Sequence, residues 1–182
     1  AAYGMTRTDM GGELFSIEAT AMPGKGNLYI TGQLGEVMQE SAQAALSYVR
    51  SRSQTLSLDP NLYEKVDIHV HVPEGDVPKD GPSLGISLAT SMASALTGRP
   101  VKSDMAMTGE ITLRGRVLPV KGIKEKILAV HRGNIRNIFI PKANMKDIPE
   151  VPPQVLRHVE LTLVESLDEV LDRALLPDHL AR

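Results

Sequence analysis

Cysteine and tryptophan are absent from this chain of 182 residues, and aromatic side chains make up only 3% of it. Without cysteine the chain can form neither disulfides nor thiolate metal sites, and thiol catalysis is excluded. So few aromatic rings argue against a surface on which nucleic-acid bases could stack. These absences remove cysteine chemistry and stacking-based nucleic-acid binding from the candidate functions.

The chain also lacks an excess of charge and a long hydrophobic run. Its formal net charge is -2, so no overall basic field would draw it to nucleic acid or to anionic lipid. The longest mostly apolar stretch, residues 84–96, is interrupted by serine and threonine and falls short of a membrane span. No charged-then-apolar leader opens the chain. We expect a soluble intracellular protein with no nucleic-acid or membrane partner.

The remaining composition, 42% apolar and 23% charged, is ordinary for a globular protein. Apolar periodicity predicts strands that alternate with helices, and hence one α/β domain with a mixed sheet over residues 1–182. Residues 27–31 are expected to pair with 13–19 as a hairpin, and residues 149–153 to form a rigid linker. The predicted strands are 13–19, 27–31, 66–72, 104–113, 116–120, 135–140 and 159–164, and the predicted helices are 35–52, 82–96, 122–132 and 167–175.

Ser83 lies where a loop with prolines and glycines, residues 73–81, meets the first turn of an apolar helix. Backbone N–H groups without helical partners gather at such a turn, and the helix dipole there favours negative charge. A serine nucleophile needs these surroundings, because its tetrahedral intermediate must find hydrogen-bond donors. Helix capping by Ser83 or Asp80 explains the same residues, and from the local sequence alone it is the simpler interpretation.

Gly81 and Gly85 flank Ser83 in a Gly-x-Ser-x-Gly pattern, which is the nucleophile elbow of α/β-hydrolases. An elbow requires a strand directly before the serine, whereas the predicted strand ends near Val72 and Pro82 fixes the preceding backbone. A Ser-His-Asp esterase would also need a histidine base. The candidates for that base are His131, His158 and His179.

A lysine base has other requirements. The pKa of a free lysine is about 10.4, so its surroundings must strongly disfavour the charged form, as partial burial among apolar groups does. On the predicted helix 122–132, Lys126 borders the apolar stripe of Ile123, Ile127 and Val130, whereas Lys124 lies further from it. Lys126 is therefore the better candidate for a buried amine, although a half-exposed lysine lying along the stripe explains the pattern more simply.

Six blocks of sequence follow one another in an order typical of one known family. They are Gly35-Glu36-Val37-Met38-Gln39-Glu40-Ser41, His69-Val70-His71-Val72-Pro73-Glu74-Gly75, Pro78-Lys79-Asp80-Gly81-Pro82-Ser83, Met107-Thr108-Gly109-Glu110, Leu118-Pro119-Val120 and Ile123-Lys124-Glu125-Lys126. Over about residues 5–177 they resemble the proteolytic domain of the Lon proteases, of the LonA type. Several long motifs in one order are far more specific than any one of them.

The resemblance implies a serine endopeptidase in which Ser83 and Lys126 form the catalytic dyad. It also implies unfolded protein substrates bound in extended form, a hexameric ring, and an ATP-driven unfoldase elsewhere in the same polypeptide. No cofactor is implied for this domain, since ATP and Mg²⁺ belong to the motor, and the bacterial cytoplasm is expected rather than the mitochondrial matrix. The supporting residues would be Thr108, which holds the lysine amine, and Asp80, Gly81 and Pro82.

Two positions depart from the family's pattern. Lys121 stands where the family usually has the first of two glycines before the lysine helix, and Leu84 stands where alanine commonly follows the nucleophile. We expect Leu84, and Glu18 on an early strand, to line the substrate groove. If the changes at 121 and 84 disable the dyad, the chain would instead be a catalytically inactive module for ring assembly.

Two further patterns predict no site. His69 and His71 alternate on one strand and face the same way, but a metal site needs three or four ligands and no third is evident, so we expect a polar cluster beside the cleft. Residues 23–26, Pro-Gly-Lys-Gly, lack the spacing of a phosphate loop and are interpreted as a turn. Neither metal binding nor nucleotide hydrolysis is predicted.

Overall fold

The computed structural model describes residues 2–8, 11–32, 35–72 and 82–177. The strands are β1 (Ala2–Thr8), β2 (Gly11–Pro23), β3 (Leu28–Thr31), β4 (Val66–His71), β5 (Met105–Met107), β6 (Glu110–Ile111), β7 (Val117–Leu118), β8 (Asn137–Pro141) and β9 (Glu160–Val164). The helices are α1 (Glu36–Ser51), α2 (Gly85–Thr97), α3 (Ile123–Arg132), α4 (Pro153–Leu156) and α5 (Leu167–Ala174). Segments of 3-10 helix cover Leu62–Glu64, Pro82–Leu84 and Lys142–Glu150.

The main sheet has seven strands in the order β3-β4-β2-β1-β5-β8-β9, and β6 and β7 form a separate antiparallel pair. Strand β2 pairs antiparallel with both β1 and β4, whereas β5, β8 and β9 run parallel to one another. The mixed sheet with helices between its parallel strands confirms the predicted α/β fold.

Helices and 3-10 segments cover both faces of the sheet. Side chains of β5 alternate between two cores, with Met105 and Met107 in one cluster and Ala106 in the other. The first cluster contains the buried residues of α1, α2 and α5, and the second those of α3 and α4. None of the helices in the described residues is long and apolar enough to cross a membrane.

Helix α2 lies between these elements and has almost no solvent-facing side. Residues 85–93 are all buried, as the apolar sequence predicted, and the helix ends at Gly98 in the left-handed conformation, with φ of 71°. Because α2 begins inside the molecule, whatever lies at its first turn is held by packing from several directions.

The predicted hairpin between residues 13–19 and 27–31 is wrong. Strand β4 lies between β2 and β3, and β3 pairs parallel with β4. The Asp67 carboxylate, near the start of β4, accepts N–H bonds from Lys25, Gly26 and Asn27. The turn at residues 24–27 is thereby held against the start of β4. The chain then continues as β3 beside β4 and does not fold back beside β2.

Three other elements differ from the prediction. The single strand expected over 104–113 is two short strands, β5 and β6, separated by Thr108 and Gly109. The expected rigid linker at 149–153 is the end of the 3-10 segment Lys142–Glu150 and the beginning of α4. Strand β1 was not predicted, although it pairs along seven residues of β2.

Candidate active site

Ser83 lies in the 3-10 turn Pro82–Leu84, directly before α2, and is only 8% exposed. Helix α2 has Leu84 at its N-cap position and no side-chain cap hydrogen bond. Ser83 therefore lies one residue before the cap position of α2, and Asp80, the other capping candidate, lies outside the described residues.

The segment Thr108–Gly109 holds the backbone at Ser83 and again three residues later, at Ile86. The N–H of Gly109 donates to the Ser83 carbonyl at 2.9 Å, and the N–H of Ile86 donates to the Gly109 carbonyl at 3.2 Å. A Cβ at Gly109 would lie 2.9 Å from Cγ1 of Ile86 and 3.0 Å from Cγ1 of Val117, so the close approach requires glycine. The contact lies at residues 108–109, where the strand predicted over 104–113 is interrupted.

Lys126 is buried on α3, at 2% exposure, next to Ile123, Ile127 and Val130. Its Nζ donates a hydrogen bond to Oγ1 of Thr108 at 3.2 Å. Thr108 is fully buried, and its hydroxyl in turn donates to the Ser83 carbonyl at 3.4 Å. Three residues that are distant in sequence therefore meet in one buried cluster, which Ser83 joins through its backbone carbonyl; we call it the Ser83–Thr108–Lys126 cluster.

The other lysines of this region are outside the cluster. Lys124 and Lys121 are exposed. Lys121 is not among the described residues with positive φ, whereas Gly122, at the start of α3, has φ of 76°. Only the second position of the family's glycine pair thus requires glycine, and the lysine at 121 is accommodated without backbone strain.

The remaining predicted site residues are less closely joined to the cluster. Leu84 is fully buried in the main hydrophobic core, so its side chain does not line an open groove. Glu18 is exposed on β2, opposite His71 of β4. Asp80 and Gly81 lie outside the described residues, and Pro82 is described only through its backbone in the 3-10 turn.

His69 and His71 do form a polar cluster. Oγ1 of Thr31 lies 2.8 Å from Nε2 of His69 and 2.7 Å from Nδ1 of His71, which links both rings through one hydroxyl. Among the described residues, no group of three or more histidines, aspartates or glutamates could hold a metal ion.

The histidines proposed for an esterase lie elsewhere. The rings of His131 and His158 stack, with centroids 5.8 Å apart, and line a cavity of about 300 Å³ with Asn134, Ile135 and Arg136. His179 lies outside the described residues. Strand β4 ends at His71, and Ser83 lies in a 3-10 turn rather than on a strand-to-helix elbow. The geometry does not favour the Ser-His-Asp alternative.

Sequence reasoning missed Asn144, which is 2% exposed and bonded to the backbone of Val120 just before α3. A cavity of about 520 Å³ borders this region. No local pattern indicated Asn144, because an isolated asparagine after a strand is typical of any turn. The requirement for glycine at 109 was also missed, since it arises from α2 and not from the neighbouring sequence.

Comparison with known proteins shows the family of this chain. The chain matches the family model of the Lon protease (S16) C-terminal proteolytic domain over residues 1–177. It is 59% identical to Lon protease 1 of Syntrophobacter fumaroxidans, over 96% of this chain and 21% of that protein. It is also 59% identical to Lon protease 2 of Desulfotalea psychrophila, over 96% of this chain and 23% of that protein. Its identity to Lon protease of Nitratidesulfovibrio vulgaris is 58%, over 95% of this chain and 21% of that protein.

The chain spans about a fifth of the length of these relatives. The family model nevertheless covers almost all of the chain, and more than half of the aligned residues are identical. This confirms the resemblance inferred from the six sequence blocks. The chain belongs to the Lon protease (S16) family, as its C-terminal proteolytic domain.

Proposed function

We propose that this domain hydrolyses peptide bonds with Ser83 as the nucleophile and Lys126 as its base. The observation that carries the proposal is the Ser83–Thr108–Lys126 cluster, in which a buried amine donates to Thr108 and Thr108 contacts the Ser83 backbone. Burial among apolar side chains disfavours the charged ammonium, and a neutral amine has the lone pair that a base needs. A threonine hydroxyl suits the contact because it accepts a hydrogen bond without adding charge.

In the proposed reaction, the Ser83 hydroxyl transfers its proton to the Lys126 amine as Oγ attacks the carbonyl carbon of the substrate. The resulting ammonium then gives that proton to the leaving nitrogen, the C–N bond breaks, and an acyl-enzyme ester remains. Water attacks the ester with the amine again as base, and the serine hydroxyl is regenerated. Backbone N–H groups near the first turn of α2, with the helix dipole, would stabilise the tetrahedral oxyanion.

The test compares matched pairs of variants in the hydrolysis of an unstructured fluorogenic peptide at mildly alkaline pH. We expect Ser83→Ala to abolish hydrolysis and Lys126→Ala to lower kcat by about 100- to 10,000-fold, the usual contribution of general base catalysis. Ser103→Ala, an exposed serine between α2 and β5, and Lys124→Ala, exposed on α3, are the controls and should retain activity.

The same experiment separates the alternatives. An esterase would keep its activity in Lys126→Ala and lose it on substitution of one histidine. An inactive assembly module would neither cleave peptide nor be labelled at Ser83 by a serine-reactive inhibitor. Either result contradicts the proposed dyad.

The family also supports proposals for the wider protein. Residues 1–182 would form one proteolytic domain of a longer polypeptide whose ATP-driven motor unfolds the substrates and delivers them in extended form. Six copies would assemble into a ring, and the bacterial sources of the relatives support a cytoplasmic location. Glu18, exposed on β2, would line the substrate groove.

A further inference from the structure

Asn144 holds the backbone of Val120 at two points. The N–H of Val120 donates to Oδ1 of Asn144 at 3.0 Å, and Nδ2 of Asn144 donates to the Val120 carbonyl at 2.8 Å. This is the pattern of bonds that a neighbouring strand would provide, but a single buried side chain supplies it. We call these two bonds the Asn144 clamp.

The orientation of the clamp is fixed by a third bond. Nδ2 of Asn144 also donates to Oδ2 of Asp147, at 2.8 Å. A carboxylate only accepts hydrogen bonds, so the amide nitrogen must face Asp147 and the oxygen must face the Val120 N–H. Both hydrogens of the amide nitrogen are used, and the side chain is 2% exposed. Asn144 therefore has one arrangement that satisfies all of its partners.

The clamp lies just before the helix that carries Lys126. Val120 is followed by Lys121 and then by Gly122, whose left-handed conformation turns the chain into α3. The first turn of α3 is closed by the bond from the N–H of Lys126 to the Gly122 carbonyl, at 3.0 Å. Only two residues and one helical turn separate Val120 from Lys126. A displacement of the Val120 peptide would therefore also displace the Lys126 side chain.

Packing alone does not fix this approach to α3. Pro119 and Lys121 are exposed, and the cavity of about 520 Å³ borders Val120, Gly122 and Asn144. A segment with open space on one side has fewer apolar contacts to resist movement. The two bonds of Asn144 hold it from the other side, together with the packing of the half-buried Val120 against the second core cluster.

One short stretch of chain, residues 139–144, is bonded both to Thr108 and to the segment that leads into the Lys126 helix. The N–H of Thr108 donates to the Phe139 carbonyl on β8, at 3.1 Å, and Asn144 follows the end of β8 by three residues. Residues 139–144 thus hold Thr108, which accepts the Lys126 hydrogen bond, and Val120, which leads to the Lys126 helix. Both sides of the contact between amine and hydroxyl are therefore bonded, directly or through Val120, to this stretch of chain.

We propose that Asn144 is a positioning residue for the Lys126 amine, acting through Val120 and the start of α3. The proposal rests on the proposed function, because it assigns Asn144 a role in placing that base. Asn144 does not touch the reacting atoms. It keeps the amine against Thr108 and away from water in the adjoining cavity.

Asn144→Asp tests this with the smallest change in shape. The aspartate can still accept from the Val120 N–H, but it cannot donate to the Val120 carbonyl and it faces the Asp147 carboxylate. We expect kcat for an unstructured peptide to fall about 10- to 100-fold, as for other misplacements of about 1 Å, with KM within about twofold of wild type. The acid limb of the rate profile should move to higher pH, because a better-solvated amine holds its proton more firmly.

The control is Met145→Ala, an exposed side chain one residue along the same 3-10 segment, which should leave kcat and the pH profile unchanged. Folded fraction is measured for every variant by circular dichroism and thermal unfolding. If Asn144→Asp does not fold, Asn144→Ser, which removes the amide without adding charge, is measured in the same way.

A loss of activity that only follows the folded fraction, with an unchanged pH profile, would overturn the positioning role, as would a wild-type kcat. Ser83→Ala measured in parallel separates the two proposals. If Ser83→Ala is inactive while Asn144→Asp equals wild type, this inference alone fails. If Ser83→Ala is fully active, the proposed function fails first.

Discussion

Two turns of this chain gather backbone N–H groups, and their partners differ. At residues 24–27, the N–H groups of Lys25, Gly26 and Asn27 donate to one carboxylate oxygen of Asp67, at distances of 2.9, 3.0 and 2.8 Å. At the first turn of α2, the N–H of Ile86 donates to the Gly109 carbonyl at 3.2 Å. The turn at residues 24–27 therefore holds the negative charge of a side chain, whereas the first turn of α2 is held by a neutral peptide group.

The partner decides what each turn can do. A carboxylate that accepts three N–H bonds occupies the anion-binding concavity that those groups form, so residues 24–27 are a structural turn. A peptide carbonyl uses one donor and adds no net charge, so this contact leaves the positive end of the α2 dipole in place. A catalytic site must stabilise the negative charge that develops during the reaction, so it needs a turn like that of α2, whose partner carries no charge. The glycine-rich sequences of the two turns do not reveal this difference.

Among the changes that test this comparison, the largest effect is expected when the Gly109 contact with α2 is broken. The nearest side chain to the Cβ of an alanine at 109 is that of Ile86, which is fully buried, so it has little room to move aside. We expect Gly109→Ala to separate the Thr108–Gly109 segment from α2, to lower the free energy of unfolding by about 1–3 kcal/mol and to lower kcat about 100-fold per folded molecule. Thermal unfolding and steady-state peptide hydrolysis measure the two effects.

Gly133→Ala is the control for this change. The nearest atom to a Cβ at 133 is a terminal methyl carbon of Leu14, at 2.7 Å, and a flexible side-chain end can shift at little cost. Activity should therefore be retained. If Gly109→Ala also retains wild-type activity, the neutral contact at α2 is not needed to hold Ser83.

A smaller effect is expected at Thr108, where the same segment meets Lys126. Thr108→Val keeps the shape of the side chain and removes the acceptor of the Lys126 hydrogen bond. We expect about a tenfold fall in kcat, which corresponds to about 1.4 kcal/mol, the usual worth of one such bond. Thr108→Ser keeps the hydroxyl and should recover most of the activity. Equal kcat values for the valine and serine variants would contradict a role for the hydroxyl.

The sequence predicted those features that depend on local periodicity. Lys126 was the better candidate for a buried amine because it borders Ile123, Ile127 and Val130, and it is 2% exposed, although the local pattern alone favoured a half-exposed side chain. Helices α1 and α2 lie within a residue or two of their predicted limits, apart from the 3-10 turn that begins the second. That Ser83 and Lys126 perform the catalysis stays a prediction.

Features set by distant partners were not predictable. The placement of β4 between β2 and β3 depends on Asp67, which is 40–42 residues from the turn that it holds. The Asn144 clamp spans 24 residues. Leu84 was expected near a groove, but successive residues of a 3-10 turn point about 120° apart, so Leu84 enters the core while Ser83 does not.

The smallest effect is expected at the charged turn, where Asp67→Asn keeps the acceptor oxygen and removes the charge. Backbone N–H bonds from Asn27, Lys25 and Gly26 hold the pKa of Asp67 below its usual value. A carboxyl whose folded-state pKa is lowered stabilises the fold above its unfolded pKa of about 3.9, and the stabilisation is lost as pH falls through the folded value. The Tm of Asp67→Asn should therefore lie below that of wild type at pH 7, and the two should begin to converge as the pH falls below about 4.

Asp59→Asn is the matched control, because the Asp59 carboxylate accepts a backbone N–H from Asn61 alone and should show a smaller difference of the same sign. A difference in Tm at Asp67 that persists unchanged into strong acid would show that the carboxylate charge does not hold the turn.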